Sequence, residues 1–91
     1  MKQLKVKIPN QLEETGTYYG ECELPKQSWI KPIAQGHGAW VSLTGKWSYV
    51  GTFKNNFFHG MGVMKENGWQ IREGYWFNGL PHRKQTVYQA T

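Results

Sequence analysis

The sequence has no aspartate, a single cysteine and only four prolines in 91 residues. The lone Cys22 excludes an internal disulfide, and the absence of a Cys-x-x-Cys pair removes a common zinc signature. No apolar run approaches the roughly 18 residues of a membrane helix, and no apolar segment follows Met1 as it does in a signal peptide. We therefore expect a small cytoplasmic domain without a transmembrane segment.

Glycine and aromatic residues, by contrast, are abundant. The chain has 11 glycines, and aromatic residues make up 15% of it. Both weaken helices, whereas rings pack well on a pleated sheet, and no helical hydrophobic period is sustained for about ten residues. With 19% charged residues the composition is not that of a disordered chain. We predict a single all-β domain over residues 1–91.

Short apolar segments with strand-like alternation are separated by turn residues. They predict strands at residues 4–8, 17–24, 39–43, 47–54, 59–66, 69–77 and 83–88. A loop or short turn is predicted at residues 10–15, a long loop at 25–34 and a turn at 54–58. In the second loop we expect Trp29 and Ile30 to lie on the core. On the strand at 47–54, alternation places Tyr49 and Phe53 on one face and Val50 on the other.

The dipeptide Asn67-Gly68 is a strong hairpin signal, because both residues readily adopt positive φ. A two-residue turn there pairs Glu66 with Trp69 and places Met64 opposite Ile71. Large rings then lie across the strands from small or flexible side chains.

A pattern of tyrosine, glycine, aromatic and histidine positions recurs at a spacing of 23 residues. Three pairs are related by this shift: Gly51 and Gly74, Phe53 and Trp76, His59 and His82. The pattern resembles the MORN (membrane occupation and recognition nexus) repeat, which has Tyr-x-Gly-x-aromatic and, after a turn, His-Gly-x-Gly. One stretch carries it at six structural positions: Tyr49, Gly51, Phe53, His59, Gly60 and Gly62.

The resemblance divides the chain into an N-terminal strand and loop at 1–17, a degenerate copy with an insertion at 18–48, the best copy at 49–71 and a partial terminal copy at 72–91. In the last copy Arg72 stands where tyrosine is expected, and Arg83 and Gln85 stand where glycines are expected. The resemblance implies consecutive antiparallel hairpins stacked as a twisted sheet, each contacting mainly its neighbours. The alternative is an unrelated sheet that also uses glycine–aromatic hairpins.

The histidines do not predict a metal site or a catalytic centre. His59 and His82 occupy equivalent positions in successive hairpins, about 9–10 Å apart, whereas zinc ligands lie about 2 Å from the metal. No recognisable base accompanies Cys22 as a nucleophile, and the glycine pairs precede strands rather than the helix that a phosphate loop needs. We predict a non-catalytic protein with no metal and no cofactor.

The net charge of +5 fits an ordinary solvated surface, and it also fits binding to nucleic acid, anionic lipid or an acidic protein. Six Lys, two Arg and two Glu give residues 24–91 a charge of +6. We predict a protein-binding module, an adaptor or inhibitor of the kind that bacteria or phages encode, and the MORN resemblance implies the same role. The candidate partner contacts are Phe57, Phe58, Trp76, Lys54, Arg72 and Arg83. Phe57 and Phe58 come first, because the predicted turn at 54–58 offers the least core packing.

Three other modes of association stay open at this stage. Unpaired sheet edges can join two copies into a homodimer. Basic residues can bind anionic phospholipid, which MORN proteins have been proposed to do. Rings mixed with lysine and arginine can also stack the bases of single-stranded nucleic acid.

Overall fold

The computed structural model describes residues 2–7, 13–24, 32–66 and 70–89, and the structural statements below concern these residues. The strands are β1 (Lys2–Lys7), β2 (Glu13–Glu23), β3 (Ile33–Ser42), β4 (Trp47–Lys54), β5 (Phe57–Glu66), β6 (Gln70–Phe77) and β7 (Leu80–Gln89). They form one antiparallel sheet in the order β1 to β7, so each strand pairs with the next along the chain. The predicted all-β class of consecutive hairpins is confirmed.

Two of the hairpins have asparagine in their turns. Asn55 and Asn56 have φ of 51° and 69°, and Asn78 and Gly79 have φ of 48° and 90°. Two successive positive φ values are typical of the tight turns whose twist matches that of the flanking strands, and asparagine tolerates them better than most residues. The predicted turn at 54–58 is present but shorter than expected, because two residues suffice for it and β5 starts at Phe57.

The strands also include residues from both segments that were predicted as loops. Residues 13–15 belong to β2, and Ala34 lies fully buried in β3. The side-chain amide of Asn56 explains the early start of β3, since its Oδ1 accepts a hydrogen bond from the Ala34 N–H at 2.7 Å. The expected positions of Trp29 and Ile30 lie outside the described residues.

The register between β5 and β6 differs by one residue from the prediction. Glu66 pairs with Gln70, and Met64 pairs with Arg72 rather than Ile71. Three residues separate Glu66 from Gln70; this connection, with Asn67-Gly68, lies outside the described residues. A slip of one residue exchanges the two faces of a strand, and the observed register is the one that buries Trp76.

The two faces of the sheet differ in burial. On β4, Tyr49 and Phe53 are buried and Val50 is exposed, as the alternation predicts. We call the face that carries Tyr49 the inner face and the opposite one the outer face. The core consists of Leu4, Val6, Tyr18, Ala34, Trp40, Tyr49, Phe53, Phe58, Met64 and Trp76. The sheet curls over this core until β1 contacts β5, and the Trp40 Nε1 donates a hydrogen bond to the Leu4 carbonyl at 3.0 Å.

A row of glycines crosses the inner face at neighbouring positions of five strands. Its members are Gly20, Gly38, Gly51, Gly62 and Gly74. The Tyr49 ring lies across Gly62, where a Cβ atom would overlap the ring, and the Tyr18 ring lies across Gly38 in the same way. Gly38 and Gly62 are thus required by close packing, because any larger residue there would collide with the tyrosine ring.

Candidate functional site on the outer face

The outer face carries large apolar side chains that remain in contact with solvent. We call Tyr19, Val41, Val50, Met61 and Tyr75 the outer patch; their exposed fractions run from 42% for Val41 to 61% for Val50. Cross-strand pairs connect it: Tyr19 pairs with Ala39, Ala39 with Val50, and Met61 with Tyr75. A sheet with one solvated face ordinarily has polar residues there, so an apolar outer patch indicates a contact surface.

A cluster of rings lies beside the outer patch, at the β5 to β7 side. The Phe77 ring lies between His59 and His82, with ring centroids 5.2 Å and 5.7 Å away. Phe77 is 53% exposed, so this ring cluster presents an aromatic surface to solvent. Because Phe77 separates the two imidazoles, they do not converge on one point. In the described parts of the chain no group of three His, Cys, Asp or Glu side chains could hold a metal ion.

Two of the predicted partner contacts lie in the core. Phe58 and Trp76 are 0% and 2% exposed, so the expectation that they reach a partner is wrong. Phe57 and Phe58 are consecutive residues of a strand, and consecutive strand residues face opposite sides. Phe57, at 36% exposure, is the one that reaches solvent. Trp76 packs edge-on against Tyr49 and donates its Nε1 hydrogen to the Gly62 carbonyl at 3.1 Å.

The three predicted basic contacts have different surroundings. Lys54 is exposed and pairs across the β4–β5 hairpin with Phe57. The Arg72 side chain is 24% exposed, lies on the inner face and forms an ion pair with Glu66, with Nη2 and Oε1 3.2 Å apart. Arg83 lies in β7, but its side chain is outside the described part. Only Lys54 is therefore seen to be available on the outer surface.

The outer surface carries charges of both signs. Strand β2 carries exposed glutamates at Glu13, Glu21 and Glu23, whereas exposed lysines lie at Lys54 in β4 and Lys65 in β5. The Glu21 Oε1 accepts a hydrogen bond from the His37 N–H at 2.5 Å and lies 3.5 Å from its Nδ1. Exposed Lys5 lies in β1 beside these glutamates, and Glu73 lies in β6, so both signs of charge occur toward both edges of the described sheet.

Two tyrosines have perturbed acidity, and both belong to the core. Burial raises the pKa of Tyr18 from 10.0 to about 12, with smaller contributions from Cys22 and Glu21. Burial also raises the pKa of Tyr49. Both hydroxyls donate to backbone carbonyls, Tyr18 to Glu21 at 2.5 Å and Tyr49 to Thr52 at 2.9 Å. These neutral hydroxyls serve packing.

The sequence patterns did not point to the outer patch. Val41, Val50 and Met61 belong to predicted strands, but single exposed apolar residues carry no local signal. They become a patch only when the register aligns them. The signal that could have located the ring cluster is the pair of equivalent histidines, His59 and His82, which the repeat spacing did identify.

No protein-family model matches the chain, and no curated protein or solved structure matches it. The described residues contain no helix that is long and apolar enough to cross a membrane. Fold and surface together define a single-sheet all-β protein of consecutive hairpins, with the inner face closed over a core and the outer face exposed.

Proposed function

We propose that the chain is a non-catalytic protein-binding module, an adaptor or inhibitor that binds its partner through the outer patch. The observation that carries the proposal is the solvent exposure of five large apolar side chains on one face, with Val50, Tyr75 and Tyr19 at 61%, 54% and 50%. Burial of apolar area is the main favourable term in association, and a sheet face holds such side chains at fixed spacing.

The composition of the surface supports a protein as the partner. Tyrosine, phenylalanine and methionine are enriched in protein interfaces, and Met61, Tyr75 and Phe77 lie close together here. Exposed charges at Glu21, Lys54 and Lys65 lie elsewhere on the sheet, and charges at the rim of an interface contribute mainly to orientation and rate of association. The resemblance to MORN repeats is in keeping with this role, and we propose that the module acts in the cytoplasm.

Affinity capture with cross-linking from the native host tests the proposal. We expect the double variant Met61→Ala, Tyr75→Ala to bind the captured partner at least about tenfold more weakly, since anchors of this kind contribute roughly 1–2 kcal/mol each. The matched control, Leu24→Ala with Leu43→Ala, removes two exposed apolar residues elsewhere and should bind as the unchanged protein does. Failure to capture any partner, or equal binding by both variants, would contradict the proposal.

The ring cluster favours a second candidate, single-stranded nucleic acid. Exposed Phe77 beside two imidazoles offers a stacking surface, and Arg83 follows His82 in β7. Fluorescence anisotropy with a labelled oligonucleotide tests this candidate. Binding that weakens steeply with salt and is lost in Phe77→Ala would support nucleic acid, whereas binding unaffected by Phe77→Ala would rule out the ring cluster as its site.

A further inference from the structure

We infer that the edge of β7 is a second docking site, at which an extended segment of a partner protein pairs as an additional strand. The inference goes beyond the proposed function, because it concerns the end of the sheet rather than the outer patch. Three observations on the described residues carry it: a row of inner-face residues that ends half-exposed, a packing contact that only two of the three hairpins complete, and buried polar atoms without partners.

One row of directly paired residues crosses the inner face from β2 to β7. Its members, in order, are Tyr18, Trp40, Tyr49, Met64, Arg72 and Val87. Trp40 and Met64 are 0% exposed, and each has a neighbour in the row on both sides. Val87 has the corresponding place in the third hairpin but is 48% exposed, because β7 pairs only with β6 among the described strands. One further strand is needed to cover Val87 as the other two are covered.

The contacts of two tyrosines show which kind of side chain completes a hairpin. Tyr18 in β2 packs against Phe53 in β4, and their ring centroids lie 4.7 Å apart. Tyr49 in β4 packs against Trp76 in β6 at 5.5 Å, so each tyrosine reaches a ring two strands further on. Arg72 has the same place in β6, and no described strand lies two positions beyond it. Because a guanidinium packs favourably on an aromatic face, Arg72 suits a ring that a partner supplies.

Two buried polar atoms near the end of the row lack hydrogen-bond partners among the described residues. They are the Nε of Arg72 and the Oε1 of Gln85, and Gln85 lies two residues before Val87 in β7. Buried polar atoms without a partner cost free energy. An added strand brings backbone N–H and C=O groups to this end of the sheet, so its binding offers partners to both atoms.

The opposite edge of the sheet is already covered. On β1 the inner-face residues Leu4 and Val6 are only 7% and 2% exposed, and the Trp40 Nε1 donates to the Leu4 carbonyl. Lys5 lies between them and is exposed, and lysine on an edge strand discourages pairing with another strand. The β7 edge is therefore the one that an added strand completes.

The strand that covers β3 indicates what the occupant of the β7 edge contains. β4 pairs with β3 and presents Tyr49 and Phe53 to the core, four residues apart. In the same register, a partner ring equivalent to Tyr49 covers Val87, and a ring equivalent to Phe53 lies two strands from Arg72. The edge strands of a second copy do not supply this pair of rings, since β1 has no Phe, Tyr or Trp and β7 has a single tyrosine. The occupant is thus an extended segment of a different protein with two rings four residues apart.

A labelled peptide with the sequence of residues 47–54, which form β4, is the probe. Fluorescence anisotropy measures its binding to the full chain, and we expect saturable binding that Val87→Lys weakens at least about tenfold. The matched control is Thr86→Lys, which adds the same charge to the neighbouring exposed residue, on the opposite face; it should bind as the unchanged chain does. Circular dichroism checks that both variants fold.

Altered peptides test the chemistry of the segment. A peptide with serine at the positions of Tyr49 and Phe53 should lose binding. Two further peptides carry N-methyl groups on one or the other alternating set of amides. Only one of these should lose binding, because alternate N–H groups of a strand point to opposite neighbours. Equal affinities of the two N-methylated peptides, or full binding by the serine peptide, would contradict pairing of this kind.

Amide hydrogen exchange locates the site. The added peptide should slow exchange in residues 80–89 and leave residues 2–7 unchanged. Four results overturn the inference: no binding of the peptide, binding that Val87→Lys leaves unchanged, protection in β1 instead of β7, and protection of β7 by a second copy in the absence of peptide. The double variant Met61→Ala, Tyr75→Ala should bind the peptide normally, so the outcome at β7 is independent of the outcome at the outer patch.

Discussion

At the scale of single residues, Phe57 and Phe58 show how strand geometry assigns opposite roles to neighbours of the same type. Phe58 is 0% exposed and stacks on Tyr49 with ring centroids 4.1 Å apart, whereas Phe57 points away from the core and is 36% exposed. Their environments differ because successive side chains of a strand alternate between faces.

We predict that Phe58→Ala and Phe57→Ala have very different effects on stability. Phe58→Ala leaves a cavity between Tyr49, Phe53 and Trp76 and should lower the free energy of unfolding by about 3–5 kcal/mol. Phe57→Ala removes a partly solvated ring and should cost less than about 1 kcal/mol. Urea unfolding of the two variants measures both values. Equal losses would show that Phe57 belongs to the core.

At the scale of structural elements, the hairpins β2–β3, β4–β5 and β6–β7 follow one pattern, in which the third carries different side chains. In the first two, a tyrosine crosses a glycine of the next strand and its hydroxyl donates to the carbonyl three residues later. The third hairpin has Arg72 and Gln85 at these two positions. Gln85 covers Gly74 in place of a tyrosine ring, and its Nε2 donates to the Tyr75 carbonyl at 2.6 Å, three residues after Arg72. An amide therefore replaces the missing phenol.

This equivalence predicts a favourable coupling between Arg72→Tyr and Gln85→Gly. Arg72→Tyr alone should destabilise the fold, because the new ring meets the Gln85 side chain and the ion pair with Glu66 is lost. Gln85→Gly alone should destabilise it by removing the donor to the Tyr75 carbonyl. Together they recreate the arrangement of the other hairpins.

A double-mutant cycle of unfolding free energies measures the effect. We expect the double variant to be more stable than the two single changes predict, by at least about 1 kcal/mol. Additive costs would mean that the third hairpin does not reproduce the geometry of the first two.

At the scale of the whole molecule, one core spans the sheet from β1 to β6, and the hairpins depend on each other through it. Tyr18 in β2 packs edge-on against Phe53 in β4, with ring centroids 4.7 Å apart. Tyr49 contacts Phe58 in β5 and Trp76 in β6. Ionising either tyrosine therefore affects the stability of the whole domain rather than one hairpin.

Stability should consequently fall at alkaline pH. The pKa of Tyr18 is about 12 in the folded chain, against 10.0 for a tyrosine that is not buried. The folded state therefore holds the Tyr18 proton more tightly than the unfolded chain does. Below pH 10 both states are protonated and the contribution is fully present. As the pH rises from 10 to about 12 the unfolded chain loses protons first, so the free energy of unfolding decreases.

Urea unfolding at pH 8, 10 and 12 measures this decrease. Tyr18→Phe should show a smaller decrease between pH 10 and 12 than the unchanged chain. Tyr19→Phe is the control, because Tyr19 is 50% exposed, and it should show the same decrease as the unchanged chain. Lysine titration contributes equally in all three proteins and therefore does not explain a difference between them. An identical pH dependence in all three proteins would contradict a buried, hard-to-ionise Tyr18.

The candidate site was predictable from the sequence only in part. Asn55-Asn56 is recognisable in the sequence as a possible two-residue turn. Such a turn places Phe57 and Phe58 in the following strand, where they face opposite sides of the sheet. The β5–β6 register was not predictable, because the sequence at 67–69 is compatible with a two-residue or a three-residue connection. Burial of Trp76 decides between them, and that burial is a tertiary contact. Exposure of Tyr75 on the outer face follows from that register, whereas exposure of Val50 and Met61 follows from alternation along β4 and β5 and from the absence of a second layer over the described outer face.

The sequence by itself determined the all-β class, the alternation that buries Tyr49 and Phe53, and the 23-residue spacing, because these depend on local propensity and on a period of two along a strand. Only the tertiary structure decided where the strands end, which rings reach solvent and how the glycines meet the tyrosines. Those features depend on contacts between residues on different strands, such as Tyr49 over Gly62 and Trp40 on Leu4. A linear pattern does not encode such contacts until the register aligns the strands.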